Sequence, residues 1–130
     1  MLQYGDVAIA KDLLTTPEHA SARHYYRQVF ELDPDNSFAA RGLQRIAARY
    51  GELALLVMEK KQYDKADVYI RRGLSVASKD SELLALQTEL EARREAEKSA
   101  MIAQLSEVEL EPEPEPTSVF GALKRFFGSE

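Results

Sequence analysis

Apolar residues recur at helical spacing through most of the chain, broken by short polar stretches that read as turns. Val7, Ala10, Leu13 and Leu14 predict a first short helix over residues 3–14. Thr15-Thr16-Pro17-Glu18 interrupts it and starts a second helix, with Thr16 as cap, Pro17 in the first turn and Glu18 at the positive dipole end. That helix runs to about Leu32, where Asp33-Pro34-Asp35-Asn36 makes a tight connection. A third, long helix is expected from Ser37 to about Lys60, and its Gly42 and Gly51 read as points of close helix approach. After a turn at Lys60-Lys61-Gln62, a fourth helix covers residues 63–77. A fifth follows from Ser81 with Asp80 or Ser81 as its cap and Leu83, Leu84, Leu86 and Leu90 as its buried stripe. Beyond Glu91 the mixed charges predict a solvated extension of that helix.

Two of these segments carry the same pattern. Ala22 aligns with Ala66, Tyr26 with Ile70, Val29 with Gly73 and Phe30 with Leu74, an offset of 44 residues. A small residue followed four later by a large one places both on one face, packed closely on the preceding helix. Such a hairpin cannot bury its apolar stripe alone and must stack on neighbours.

Residues 3–97 resemble tetratricopeptide repeats. Leu32-Asp33-Pro34-Asp35-Asn36 is a common ending of that repeat, and Tyr50, Leu53, Ala54, Tyr63 and Ala66 occupy its aromatic, leucine and small positions. The resemblance implies an all-α fold of antiparallel hairpins, about five helices in a right-handed solenoid, as two repeats and a capping helix over residues 1–105. The family's usual period is 34 residues; the excess here falls inside the long third helix. It also implies that Ala22, Tyr26, Pro34, Tyr50, Leu53, Ala54, Ala66 and Ile70 serve packing between repeats. A concave face of Tyr4, Val7, Leu55, Met58 and Leu86 would bind an apolar peptide or a helix of a partner protein. Some members of the family grip a terminal carboxylate with Lys and Asn. The matching places here carry Gly51, Leu55, Ala85 and Glu89, so no such grip is expected.

Composition narrows the function classes. The 130 residues are 45% apolar and 30% charged, without cysteine, which removes disulfide frameworks and thiolate metal sites. The net charge of −5 is carried almost wholly by the C-terminal part, because residues 1–105 hold 15 Lys and Arg against 16 Asp and Glu. Without a basic stripe no nucleic-acid partner is expected. No apolar run reaches the length of a membrane span, and no basic segment with an apolar core opens the chain. The expected location is cytoplasmic, including the inner face of a membrane. No phosphate loop, metal-binding His pair or nucleophile motif is present, so neither catalysis nor a cofactor is expected. His19 and His24, five apart in an expected helix, read as surface residues on different faces. Arg23 and Arg27 make a small basic spot beside His24, with Glu31 or solvent as partner. Tyr25, Tyr26, Tyr63 and Tyr69 read as core and rim.

From residue 106 the character changes. Glu107-Val108-Glu109-Leu110-Glu111-Pro112-Glu113-Pro114-Glu115-Pro116 predicts an extended, disordered acidic linker over 106–117. It leads to Ser118–Glu130. On a helix, Val119, Phe120, Leu123, Phe126 and Phe127 would share an arc of about 120°, with Lys124 and Arg125 outside it. Residues 120–128 resemble the carboxy-terminal membrane-targeting helix of the MinD family of bacterial division-site ATPases, although here a glutamate run rather than basic residues precedes them. This amphipathic tail is expected to dock on an anionic membrane surface, in a groove of a second protein, or on its own domain. The whole is expected to be a non-catalytic adaptor or scaffold. The alternative is a structural subunit that self-associates as a homo-oligomer or docks permanently in a larger complex.

Overall fold

The computed structural model of the chain describes residues 1–110, and side chains through residue 106. Five α-helices and no strand occur among the described residues: α1 (Leu2–Ala10), α2 (Ala22–Leu32), α3 (Ser37–Glu59), α4 (Tyr63–Val76) and α5 (Ser81–Leu110). The chain divides into two units, Met1–Arg94 and Glu95–Glu130. In the first, α1 packs on α2, α2 and α1 pack on α3, and α3 packs on α4. The described part of the second is the later portion of α5, whose Met101, Ile102 and Leu105 are exposed. α5 continues to Leu110, into the stretch expected as linker. The remainder of that linker and the amphipathic tail lie outside the described residues.

The polar connections form for identifiable reasons. α2 ends at Asp33, whose N–H reaches the Val29 carbonyl, and α4 ends in the same way at Ala77, whose N–H reaches that of Gly73. The next helix is capped at the same distance onward. Asn36 Oδ1 accepts from the Ala39 N–H at 2.8 Å, and Asp80 Oδ1 accepts from the Leu83 N–H at 2.9 Å. The 44-residue offset seen in the helices therefore continues through turn and cap. It also continues in burial: Ala22 and Ala66, Tyr26 and Ile70, Val29 and Gly73, Ala39 and Leu83, Gly42 and Leu86, and Ile46 and Leu90 are all buried.

Within that shared frame the bulk is redistributed. A Cβ on Gly73 would stand 2.7 Å from Leu83 Cδ1, so a small residue on α4 makes room for a large one on α5. The equivalent pair is Val29 and Ala39, with the sizes exchanged. Two cores result. One holds Ala8, Leu14, Ala22, Tyr26, Val29, Ala39, Ile46 and Tyr50. The other holds Ala47, Ala54, Met58, Ala66, Ile70, Leu83, Leu86 and Leu90. α3 serves both, which is why it must be long.

Several expectations are corrected here. α1 stops at Ala10 rather than reaching Leu14, because Asp12 turns the chain in the left-handed region at φ 56° and the Leu13 N–H closes back on the Ala8 carbonyl at 2.8 Å. Lys61 makes the same turn after α3, at φ 59°, with Gln62 N–H on Val57 O. Leu14 enters the core from a loop and not from a helix face. α2 starts at Ala22, not near Pro17, and Ser21 rather than Thr16 is its cap, its Oγ accepting from the His24 N–H at 3.2 Å. Thr16–Pro17 is a cis peptide in the intervening loop. Pro34, expected in repeat packing, is exposed in its turn, and Leu53 is only partly buried. Leu84, expected in the buried stripe of α5, is 42% exposed, since Leu83, Leu86 and Leu90 already fill the face that meets the core.

The reading of Gly42 as a close approach holds. A Cβ there would lie 2.4 Å from Tyr26 Cζ, and one on Gly5 would lie 2.6 Å from Tyr26 Cε1. Gly51 differs, because its Cβ would meet Leu86 and Leu83 at ordinary contact, 3.7 and 3.8 Å. Gly42→Ala is therefore expected to destabilise the fold by about 1–3 kcal/mol through overpacking. Gly51→Ala should stabilise it by about 0.5–1 kcal/mol through helix propensity. Urea unfolding of the two variants checks the pair, and equal effects of one sign would contradict the packing described.

Candidate functional site: the solvent face of α3

Between its two buried seams α3 leaves a face uncovered. Phe38, Arg41, Arg45, Ala48, Glu52 and Leu55 follow one another at three- and four-residue steps and are exposed. Two clefts lie along this face and meet at Ala48. The first, about 600 Å³, is bounded by Leu2 and Asp6 of α1 and by Phe38, Arg41, Gln44, Arg45 and Ala48 of α3. The second, about 450 Å³, is bounded by Ala48, Gly51, Glu52 and Leu55 of α3 and by Glu82, Ala85, Leu86 and Glu89 of α5. Its floor is small and apolar, and its rim carries three carboxylates. Phe38 at the other end is 63% exposed, a large apolar side chain presented to solvent.

A polar cluster fixes the wall of the first cleft. The Tyr26 hydroxyl donates to Asp6 Oδ1 at 2.6 Å. The Arg45 guanidinium donates to the same Asp6 oxygen at 2.6 Å and to the Tyr26 hydroxyl oxygen at 3.0 Å. Three helices are tied at one point. The hydrogen bond from Tyr26, then that from Arg45, holds the Asp6 carboxyl below the usual carboxylate range. Burial, then the Asp6 hydrogen bond, pushes the Tyr26 phenol well above its ordinary value. One helical turn along α3, Arg49 grips Asp12 bidentately at 2.8 and 2.9 Å and also donates to Glu52 at 2.8 Å. The Asp12 carboxyl is likewise held low by its bond from Arg49. Tyr50 and Thr15 share a short buried hydroxyl–hydroxyl bond that pins the α1–α2 loop to α3.

The residues expected on a concave face are only partly gathered. Leu55 and Leu86 meet in the second cleft, Leu55 being 44% exposed and Leu86 buried along its edge. Gly51, Ala85 and Glu89 line that same cleft. Met58 is a correction: at 1% exposure it belongs to the second core, one turn beyond Ala54 on the seam that faces α4 and α5. Tyr4 and Val7 are exposed on α1 and line neither cleft; the Tyr4 ring stands 5.6 Å from that of Tyr25 on α2. Ala22, Tyr26, Tyr50, Ala54, Ala66 and Ile70 are all buried in the two cores. Val119, Phe120, Leu123, Lys124, Arg125, Phe126 and Phe127 lie outside the described residues. Phe38, Arg41, Asp6 and Arg45 were not among the expected site residues. The signal for Phe38 was its place one residue past the helix start, off the periodic stripe of Ala39, Gly42 and Ile46.

A second polar feature also departs from expectation. His19 sits in the loop and not on a helix, and its ring meets that of His24 edge-on at 5.7 Å. No helix among the described residues is long and apolar enough to cross a membrane. The chain matches no protein family, no curated protein and no solved structure.

The Tyr26–Asp6–Arg45 cluster sets a pH dependence. Asp6 and Asp12 have depressed values in the folded chain. Their contribution is present above the unfolded carboxylate value of about 4 and is lost as pH falls through the folded values. Tyr26 has a raised value. Its contribution is present below about pH 10, the unfolded tyrosine value, and declines above it. Tyr26→Phe is expected to cost about 1–2 kcal/mol at neutral pH and to flatten both the acid and the alkaline limb of stability. Urea midpoints measured from about pH 3 to 11 test it. A variant curve parallel to the wild type would show that the hydroxyl carries neither limb.

Proposed function

We propose that this chain is a non-catalytic adaptor of the tetratricopeptide kind, which presents the solvent face of α3 to a peptide or helix of a partner protein. The observation that carries the reading is the pair of clefts meeting at Ala48, with Phe38 and Leu55 exposed toward the two ends of one rigid helix. An amphipathic helix laid along such a surface would bury apolar anchors on the Ala48–Leu55 floor. Glu52, Glu82 and Glu89 on the rim favour a partner whose flanking residues are basic. The duplicated helix–turn–helix frame, alike in caps and burial at an offset of 44 residues, supports the repeat reading and the right-handed stacking that goes with it. Self-association through the same surface is the alternative use.

The sequence of residues 118–130 supports a second docking element, for an anionic membrane surface or a second protein, carried on an acidic, proline-rich tether. An adaptor of this form works at the inner face of a membrane without spanning it. A docking segment so short binds weakly in single copy and gains from multivalency.

Two measurements test the reading. Leu55→Glu and Phe38→Asp fall at exposed positions and should change stability by no more than about 0.5 kcal/mol. They should reduce binding of the chain's partner about tenfold or more. Partner binding unchanged in both would remove the α3 face from the function. Co-sedimentation with anionic liposomes should pellet the full chain and not a chain ending at Pro116; equal behaviour of the two would remove the membrane arm.

A further inference from the structure

Away from the α3 face, a small cleft of about 210 Å³ opens beside the start of α2, lined by Glu18, His19, Arg23, His24 and Arg27. Every residue lining it is polar, and four of the five are cationic or become so on protonation. Arg23 and Arg27 stand one turn apart on the same face of α2, a spacing at which like charges repel and destabilise a helix. Neither finds a carboxylate to offset this. Arg27 pairs with none among the described residues, Glu31 included, and Arg23 donates only to Ser75 Oγ at 3.3 Å. Arg45, Arg49, Arg71, Arg93 and Arg94 each hold an Asp or Glu, whereas Arg41 and Arg72 also hold none among the described residues; what sets Arg23 and Arg27 apart is that they line one cleft together with two imidazoles.

The imidazoles lie side by side. The His24 ring is edge-on to that of His19 at 5.7 Å and to that of Tyr25 at 5.4 Å. The helix terminus itself contributes little, because its first N–H groups are taken. Ala22 N–H goes to the Leu13 carbonyl, Arg23 N–H to that of Leu14, and His24 N–H to Ser21 Oγ. What remains is a site made of side chains: two guanidinium forks and two imidazoles against a single carboxylate.

From this arrangement we infer that the cleft formed by His19, Arg23, His24 and Arg27 binds a phosphate monoester or phosphate ion. Guanidinium forks match the paired oxygens of a tetrahedral dianion, and imidazole N–H groups supply further donors. The bound dianion relieves the repulsion between Arg23 and Arg27. Glu18 opposes it, and so sets a limit on affinity. The site is separate from the clefts of α3, so ligand binding here and partner docking there can coexist.

The experiment is an NMR titration of the full chain at constant ionic strength, read on the ring signals of His19 and His24. One arm uses inorganic phosphate and the other a short phosphoserine peptide. Saturable shifts of both rings are expected, weakened about tenfold or more in Arg23→Ala/Arg27→Ala and strengthened about threefold in Glu18→Gln. Tighter binding of the peptide identifies a phosphorylated protein as the source; equal binding identifies the free ion; both support the site. Shifts that never saturate, or a dissociation constant unchanged in the arginine double variant, would overturn it. Circular dichroism of each variant separates loss of the site from loss of the fold.

Discussion

The arrangement of the first three helices depends on one side chain, Tyr26. Its ring is fully buried, and it lies so close to Gly5 on α1 and Gly42 on α3 that neither position has room for a Cβ. A ring of that size brings two helix backbones to a fixed separation, and the glycines let them come that near. Its hydroxyl then needs a partner, because an unpaired buried phenol would cost on the order of 1–3 kcal/mol. Asp6 supplies it, and Arg45 closes the triangle. Apolar packing sets the distance between α1, α2 and α3, while the polar cluster sets their rotation. The outer face of α3 is a consequence of that rotation.

The second half of the domain solves the same packing problem with other residues. Ile70 stands where Tyr26 stands and Leu86 where Gly42 stands, so bulk passes from α2 in the first copy to α5 in the second. Gly73 with Leu83 replaces Val29 with Ala39 in the same manner. The backbone frame is kept, since caps and turns recur at the same offset, while the side-chain volumes within it are traded. That is how interior packing constrains a duplicated element: total volume and pattern matter more than the identity of each residue. It also explains why α3 can serve two cores and still leave one face to solvent.

Much of this was readable from the chain. The start of α3, the turns at Asp33–Asn36 and Ser78–Asp80, and the core positions Ala22, Tyr26, Ala66 and Ile70 all announce themselves by cap chemistry and helical spacing. The end of α1 does not. Leu13 and Leu14 continue the apolar period, and only the left-handed turn at Asp12, a tertiary choice, sends them into the core from a loop. The same loop carries His19 to His24, which helical spacing would keep apart. Met58 and Leu84 were misplaced because periodicity gives the phase of a stripe but not its width: α3, packed into two cores, buries a wider band that takes in Met58, whereas α5 buries a narrower one that leaves Leu84 out. The pairing of Tyr26 with Gly5 and Gly42, residues distant in sequence, leaves no local trace. The α3 face was half legible: Leu55 and Leu86 were expected there, whereas Phe38 and Arg41 emerge only once the packing of α1 on α3 places them on a cleft beside Leu2 and Asp6.

The central claim is that α3 is a single rigid spine on which both cores depend. Native-state hydrogen exchange measures this most directly. The account predicts that amides of α3 near Ile46 and near Ala54 exchange through one common opening at the highest free energy in the domain, and that Tyr26→Ala lowers both together. Separate opening energies for the two regions, with Tyr26→Ala affecting only the first, would contradict it and would leave two loosely joined hairpins in place of a spine.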